Sequence, residues 1–375
     1  MAVLGALYLV QGLPFGFQVS ALPIYLREQG VGLATIGYST ALAAPWALKF
    51  LWAPVVERFG GGRGHRKRWI VPTQLLMILG MLLASTVSVE TELSTLMAVL
   101  FGLNFLAATQ DVAVDGLAVD LLPVNELGVG NAAQVVGYKL GMLLAGGVLV
   151  WASARIGWAG AFLVMAAVVC AVAVMIWFVP EAQHEEPFDE DSITTMSDIM
   201  GALLAALKRP STGWILAVVA TYKMGESLID VMYKPFLIDN GISAAQLGLW
   251  LGTWGMGASI LGSMLGGVLA TRIPLVRLLL LCSVLRLIPE VGQLALAMDW
   301  LPIEQSSVIM VSLAEHLAGG ALTTAMFASM MGWVDRRIGA THFTVFACVE
   351  VWGKSLSAFV SGVMAEQLDY AGTFG

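Results

Sequence analysis

Eleven stretches, each long enough to carry an α-helix across a bilayer, follow one another between residues 3 and 365, with short connections except at 181–210. A spanning helix needs about 20 mainly apolar residues, because the hydrocarbon core is about 30 Å thick and each residue rises about 1.5 Å. No soluble core of this size absorbs so many apolar segments. Of the 375 residues 58% are hydrophobic and 12% charged, against roughly 45–50% and about 25% in soluble domains. The expected fold is an all-α polytopic membrane protein. The first stretch has no positively charged leader and is followed by Arg27 rather than by a small-residue cleavage site, so it reads as a retained helix.

The formal charge of −7 does not mark an acidic surface. Glu181, Glu185, Glu186, Asp189, Glu190, Asp191 and Asp198 cluster in the long connection, and without them acids and bases balance at 19 each. The composition argues against nucleic-acid binding. Cys170, Cys282 and Cys348 lie in distant apolar stretches, and His65, His184, His316 and His342 have no ligand spacing, so no disulfide framework, metal site or cofactor is expected. With no nucleophile elbow, phosphate loop or dinucleotide fingerprint, the chain is not expected to be an enzyme.

Cationic loops stay on the cytoplasmic side. With the N-terminus inside, inner loops hold eleven lysines and arginines while outer loops hold Arg27 and Arg155. A multi-pass protein of the plasma membrane with a cytoplasmic N-terminus is expected, in a bacterial inner membrane.

An internal repeat divides the chain. Leu22-Pro23-Ile24-Tyr25-Leu26 with Gly30 and Ile36-Gly37 recurs as Lys234-Pro235-Phe236-Leu237-Ile238 with Gly241 and Leu247-Gly248, at an offset of 212 in the proline strings and 211 beyond one residue deleted between proline and glycine. Ile156-Gly157-Trp158-Ala159-Gly160-Ala161-Phe162 recurs as Leu368-Asp369-Tyr370-Ala371-Gly372-Thr373-Phe374, at 212. The repeat implies six plus six helices in parallel halves: an N-terminal bundle over 1–180, an acidic cytoplasmic linker over 181–210 and a C-terminal bundle over 211–375 with its sixth helix, the twelfth, missing from this chain.

A charge at the bilayer centre costs about 2.5–3.5 kcal/mol on insertion scales, so each one is a candidate functional or paired group. Residues three, four or seven apart share a helix face. Lys223, Glu226, Asp230 and Lys234 form one stripe, Asn104, Asp111 and Asp115 a second, and Glu350 with Lys354 a third. Gln11, Gln18 and Tyr25 mark a weaker polar face, and Lys139, Arg286, Glu290, Glu315 and His316 complete the set. Such faces cannot point at lipid and must converge on a cavity or on each other. Arg286 with Glu290 reads equally well as a pair within one helix, and Lys49 and Lys234, near helix ends, are expected to snorkel to water.

The plan of two six-helix halves with a long central loop resembles the major facilitator superfamily. Pro54-Val55-Val56-Glu57-Arg58-Phe59-Gly60 with the basic run from Arg63 to Arg68 resembles its acidic-Arg hinge signature, with glutamate where aspartate is usual, and a degenerate copy ends at Arg272. Gln11-Gly12-Leu13-Pro14-Phe15-Gly16, Leu48-Lys49-Phe50-Leu51-Trp52-Ala53-Pro54, Thr109-Gln110-Asp111-Val112-Ala113-Val114-Asp115-Gly116 and Val136-Gly137-Tyr138-Lys139-Leu140-Gly141 resemble the AmpG-type muropeptide permeases and the acetyl-coenzyme A transporters. Tyr222-Lys223-Met224-Gly225-Glu226 is similar to the branch called major facilitator domain-containing protein 3.

That resemblance implies a monomeric, proton-coupled secondary transporter in the lipid bilayer, importing a bulky anionic or zwitterionic small molecule such as an anhydro-muropeptide. Acetyl-coenzyme A or a related nucleotide or organic anion is the alternative cargo, and a non-transporting sensor or scaffold the alternative class. The expected substrate contacts are Gln11, Gln18, Tyr138, Lys139, Tyr222, Lys223 and Lys354. The expected proton carriers are Asp111, Asp115, Glu226, Asp230, Glu315 and Glu350, and the expected conformational hinge is Glu57, Arg58 and Arg272.

Overall fold

The computed structural model describes residues 1–32, 36, 38–59, 66–178 and 195–375, without the side chains of 89–91 and 244–245. Arg63 of the basic run and the acidic cluster from Glu181 to Asp191 lie outside the described residues. Among the described residues every regular element is helical.

Helix α1 runs over Ala2–Glu28, widened by a π-helical turn at Phe17–Ala21. The second crossing is not one helix. It comprises a tight 3-10 turn at Ser39–Ala43, α2 (Ala44–Leu48), a second 3-10 turn at Lys49–Leu51 and α3 (Ala53–Phe59). Pro45 and Pro54 open α2 and α3, where a missing N–H costs nothing. Then follow α4 (Lys67–Ala84), α5 (Val89–Leu121), α6 (Leu127–Leu143) and α7 (Leu149–Phe178). Beyond them lie α8 (Met196–Leu207), α9 (Thr212–Thr221), α10 (Met224–Asp239), α11 (Met256–Ala270), α12 (Leu275–Ala297), α13 (Gln305–Trp333) and α14 (Gly339–Phe374).

Seven described helical runs are long and apolar enough to cross a membrane, or eight counting a bent pair over Met196–Leu207 and Thr212–Asp239. The eleven stretches of the sequence map onto these runs unevenly. Val124–Phe178 is one run of 55 residues, about 80 Å at 1.5 Å per residue, so it holds two crossings. The second crossing is broken into short pieces, and α12 carries Arg277, Arg286 and Glu290.

The chain forms two compact units. The first holds Met1–Leu122, Val136–Ala206 and Val334–Cys348, and the second Pro123–Val135, Leu207–Trp333 and Val349–Gly375. The first packs around Leu13, Phe17, Leu22, Met77, Leu103 and Phe162. The second packs around Tyr233, Phe236, Leu237, Trp250, Leu296 and Val308. Part of the stretch read as linker, Met196–Leu207, is an amphipathic helix whose Ile199, Leu203 and Ala206 are buried.

Inside each unit the repeat recurs as geometry. Gly157 breaks α7 with φ 70° and ψ 171°, and Asp369 breaks α14 with φ 60° and ψ −174°. In the first unit Tyr25 stacks on Trp158 at 4.8 Å and the Trp158 indole donates to Glu28 Oε2 at 2.8 Å. In the second, Phe236 meets Tyr370 edge-on at 5.4 Å and the Tyr370 hydroxyl donates to Asp239 Oδ2 at 2.6 Å. A Cβ on Gly141 would collide with the Leu9 carbonyl oxygen, and one on Gly353 with that of Ala220. Only glycine admits so close a backbone approach.

Candidate functional site

In the first unit the tight turn at Lys49–Leu51 carries Lys49 inward. Its ammonium bonds Asp111 on α5, lies 3.8 Å from Asp115 Oδ2 and sits 5.8 Å from the centre of the Trp46 ring. The Tyr8 hydroxyl donates to Asp115 Oδ1 at 2.6 Å. The carboxyls of Asp111 and Asp115, one turn apart on α5, thus converge on one ammonium. Trp46 Nε1 donates to Asn104 Oδ1 at 3.0 Å. Lys49, Asp111 and Asp115 are all buried. The expectation that Lys49 snorkels is therefore corrected: the second crossing is not a continuous helix, so position along it does not report distance from water.

Gln11 and Gln18 are buried on α1, the helix that carries Tyr8. Both amide atoms of Gln11 and the Gln18 carbonyl oxygen have no hydrogen-bond partner among the described residues. Tyr138 stands 5.9 Å from the Phe15 ring and 6.3 Å from Trp46, and Lys139 on α6 is half-buried.

At the end of the second crossing, Glu57 is buried and salt-bridged to Arg66, with Nη2 at 2.7 Å from Oε1. Arg66 Nε donates to Asp120 Oδ2 at 3.0 Å, and Glu57 Oε2 accepts the Thr341 N–H at 2.8 Å. Of the residues expected at the hinge, Glu57 is thus tied into the interior, whereas Arg58 and Arg272 are exposed. Arg66, which the sequence shows only as part of a basic loop, and Asp120 complete this group.

In the second unit the seventh crossing breaks at Tyr222 and Lys223, between α9 and α10. Lys223 Nζ lies 3.2 Å from Glu226 Oε1, in the first turn of α10, where a carboxylate meets the positive end of the helix. Arg286 is buried and gathers three acids: Glu226 at 3.4 Å, Glu290 at 3.3 Å and Glu315 at 2.6 Å. It also donates to the Glu315 carbonyl. His316 Nδ1 contacts Glu315 and lies 2.9 Å from the Ser312 carbonyl. Arg286 thus reaches across helices rather than serving Glu290 alone. The sequence stripe of Lys223 and Glu226 joins this network, while Lys234 is exposed.

Carboxylate oxygens of Glu226, Asp230 and Glu315 lie within 4.8 Å of one another. The guanidinium already bonds two of these acids, so the group is a charge network rather than a ligand set for a cation. On α14 Glu350 is buried, accepting from Tyr222 at 3.0 Å and from Lys354 at 2.8 Å.

Each cluster holds more carboxylates than cations. The first has Asp111 and Asp115 against Lys49. The second sets Glu226, Asp230, Glu290, Glu315 and Glu350 against Lys223, Arg286, Lys354 and the titratable His316. In the first cluster, where all three groups are buried, the uncompensated charge is expensive.

Solved structures with the same fold include the Escherichia coli fucose:proton symporter, with a TM-score of 0.73 at 13% identity, covering 100% of this chain and 94% of that one. The human organic anion transporter MFSD10 matches with a TM-score of 0.72 at 15% identity, covering 99% and 94%. The chain is a multi-pass membrane transporter with the major facilitator fold, not an enzyme. Similar sequences include permeases of the AmpG type. It is 28% identical over 374 residues to the anhydromuropeptide permease of Escherichia coli K12, covering 97% of this chain and 74% of that protein. It is 24% identical to the putative transporter AmpG 4 of Rickettsia conorii, covering 98% and 90%. The family model described as acetyl-coenzyme A transporter 1 matches residues 1–155.

Proposed function

We propose that the chain is a proton-coupled secondary transporter of the plasma membrane, N-terminus in the cytoplasm, importing a bulky anionic or zwitterionic solute of the anhydro-muropeptide kind. The observation that carries proton coupling is the cluster of Lys49, Asp111, Asp115 and Tyr8, where two buried carboxyls face one ammonium. Alternating access by two six-helix halves would load and release a proton there as the solute crosses. Lys139, Tyr138, Tyr222, Lys223 and the unpartnered amides of Gln11 and Gln18 supply groups for the solute, and the chain works as a monomer. Muropeptide is preferred as cargo because the anhydromuropeptide permease is similar over nearly the whole chain. The match of residues 1–155 to the acetyl-coenzyme A transporter model favours a nucleotide thioester as the second reading.

Uptake of labelled anhydro-muropeptide into proteoliposomes under an inward-directed pH gradient tests both parts. Accumulation that collapses with the gradient, and that unlabelled muropeptide but not acetyl-coenzyme A suppresses, is expected. Accumulation indifferent to the gradient removes proton coupling, suppression by acetyl-coenzyme A alone exchanges the cargo, and no uptake of either solute leaves a scaffold.

A further inference from the structure

One cavity of the second unit is lined by two opposite charges that do not meet each other. It has a volume of about 250 Å³ and lies between α10 and α14, with Ser227, Asp230 and Val231 on one side and Lys354, Ser355 and Ala358 on the other. Asp230 is exposed to this space and Lys354 half-exposed. Lys354 bonds Glu350 rather than Asp230. An ammonium has three donors, so that bond leaves two for another partner, and a carboxylate accepts at both oxygens.

We propose that this cavity is a zwitterion subsite, with Asp230 receiving the ammonium and Lys354 the carboxylate of an amino-acid or short-peptide moiety on the transported solute. This rests on the reading that the solute is bulky and zwitterionic. The polarity follows from the surroundings. Among the described residues Asp230 takes none of the Arg286 salt bridges that occupy Glu226, Glu290 and Glu315, so its carboxylate is the open charge at that end of the cavity. At the other end the Lys354 ammonium is the exposed charge, while its partner Glu350 is buried and also takes the Tyr222 hydroxyl. The Ser227 and Ser355 hydroxyls add adaptable hydrogen bonds, and Val231 and Ala358 leave an apolar wall for a small side chain. Size sets the scope of the subsite. Pockets that hold whole drug-sized ligands run to about 300–1,000 Å³, so this one takes a fragment of the solute.

Thermal unfolding of the purified full chain in nanodiscs, with dialanine, N-acetyl-dialanine or dialanine amide at millimolar concentration, tests the assignment. Dialanine should raise the midpoint by about 2 °C, and neither blocked form should do so. Asp230→Asn and Lys354→Gln should each abolish the shift, and exchanging the two charges in one double variant should restore part of it. Because the three probes are compared on the unaltered protein, a variant that fails to fold does not prevent a decision. No shift with dialanine, equal shifts with all three probes, or a shift that survives both single changes overturns the subsite. A protein that discriminates the probes but imports no anhydro-muropeptide keeps the subsite and loses the muropeptide reading; import without discrimination does the reverse.

Discussion

Arg286 lies against the bare backbone of Gly319: a Cβ built on that glycine would stand 2.7 Å from Nη1 of the guanidinium. The arginine that gathers Glu226, Glu290 and Glu315 can therefore reach the Glu315 carbonyl only because α13 has no side chain one turn further on. Gly319→Ala should displace the guanidinium and cost about 1–3 kcal/mol, as overpacking of a tight interior does, and should depress uptake together with stability. Unfolding and uptake both at unaltered values would mean that the guanidinium shifts without consequence.

Lys49 and Asp111 should behave as a pair. Removing one partner of a buried ion pair costs about 3–5 kcal/mol, whereas replacing both can be nearly neutral. Lys49→Met and Asp111→Asn are expected to be individually severe and jointly milder, with a coupling of about 0.5–3 kcal/mol in a double-mutant cycle on unfolding. Additive losses would show that the two side chains do not depend on each other.

Asp115 is the carboxyl expected to give up and regain the proton, since Asp111 holds Lys49 and Tyr8 holds Asp115 in place. Asp115→Asn should abolish accumulation driven by a pH gradient while sparing exchange of substrate for substrate, because exchange moves no net proton. If the Asn variant still concentrates substrate in response to the gradient, Asp115 is not the carrier.

Glu57 should set conformational turnover through Arg66 and the Thr341 N–H rather than through its neighbour in sequence. Glu57→Gln and Arg66→Gln are expected to slow turnover with little change in affinity, and Arg58→Gln to leave both alone. A larger effect at Arg58 than at Arg66, read from initial uptake rates across substrate concentrations, would reverse the assignment.

The backbone at Gly157 belongs to a region that only glycine enters freely, so Gly157→Ala should cost about 1–3 kcal/mol. Asp369, its repeat counterpart, adopts the same conformation with its carboxylate accepting the Gly372 N–H at 2.9 Å. Gly160 stands where Gly372 does in the repeat. Gly157→Asp should therefore be less damaging than Gly157→Ala, and thermal unfolding that ranks them the other way would deny the shared cap.

Much of this was legible in the sequence for a physical reason. Apolar stretches are a local signal, and a repeat shows wherever two distant strings match at one offset; Gly157 and Asp369 were such a match before their dihedrals were known. The stripe of Asn104, Asp111 and Asp115 was legible because a straight helix keeps its period. Lys49 was misread because its crossing is a chain of short helices and tight turns in which the period fails. Arg66 looked like loop charge, and Arg286 like the partner of Glu290. Their remaining partners, Asp120, Glu226 and Glu315, are 54, 60 and 29 residues away, and nothing local in one sequence announces pairing over such separations.

The breaks at Gly157 and Asp369 also decide where the chain tolerates handling. In each, one helical segment passes to the next at a single residue, with no loop between them. An epitope or protease site placed there would have nowhere to sit without unwinding a helix, so cleavage at either joint should wait on unfolding even though both residues are exposed.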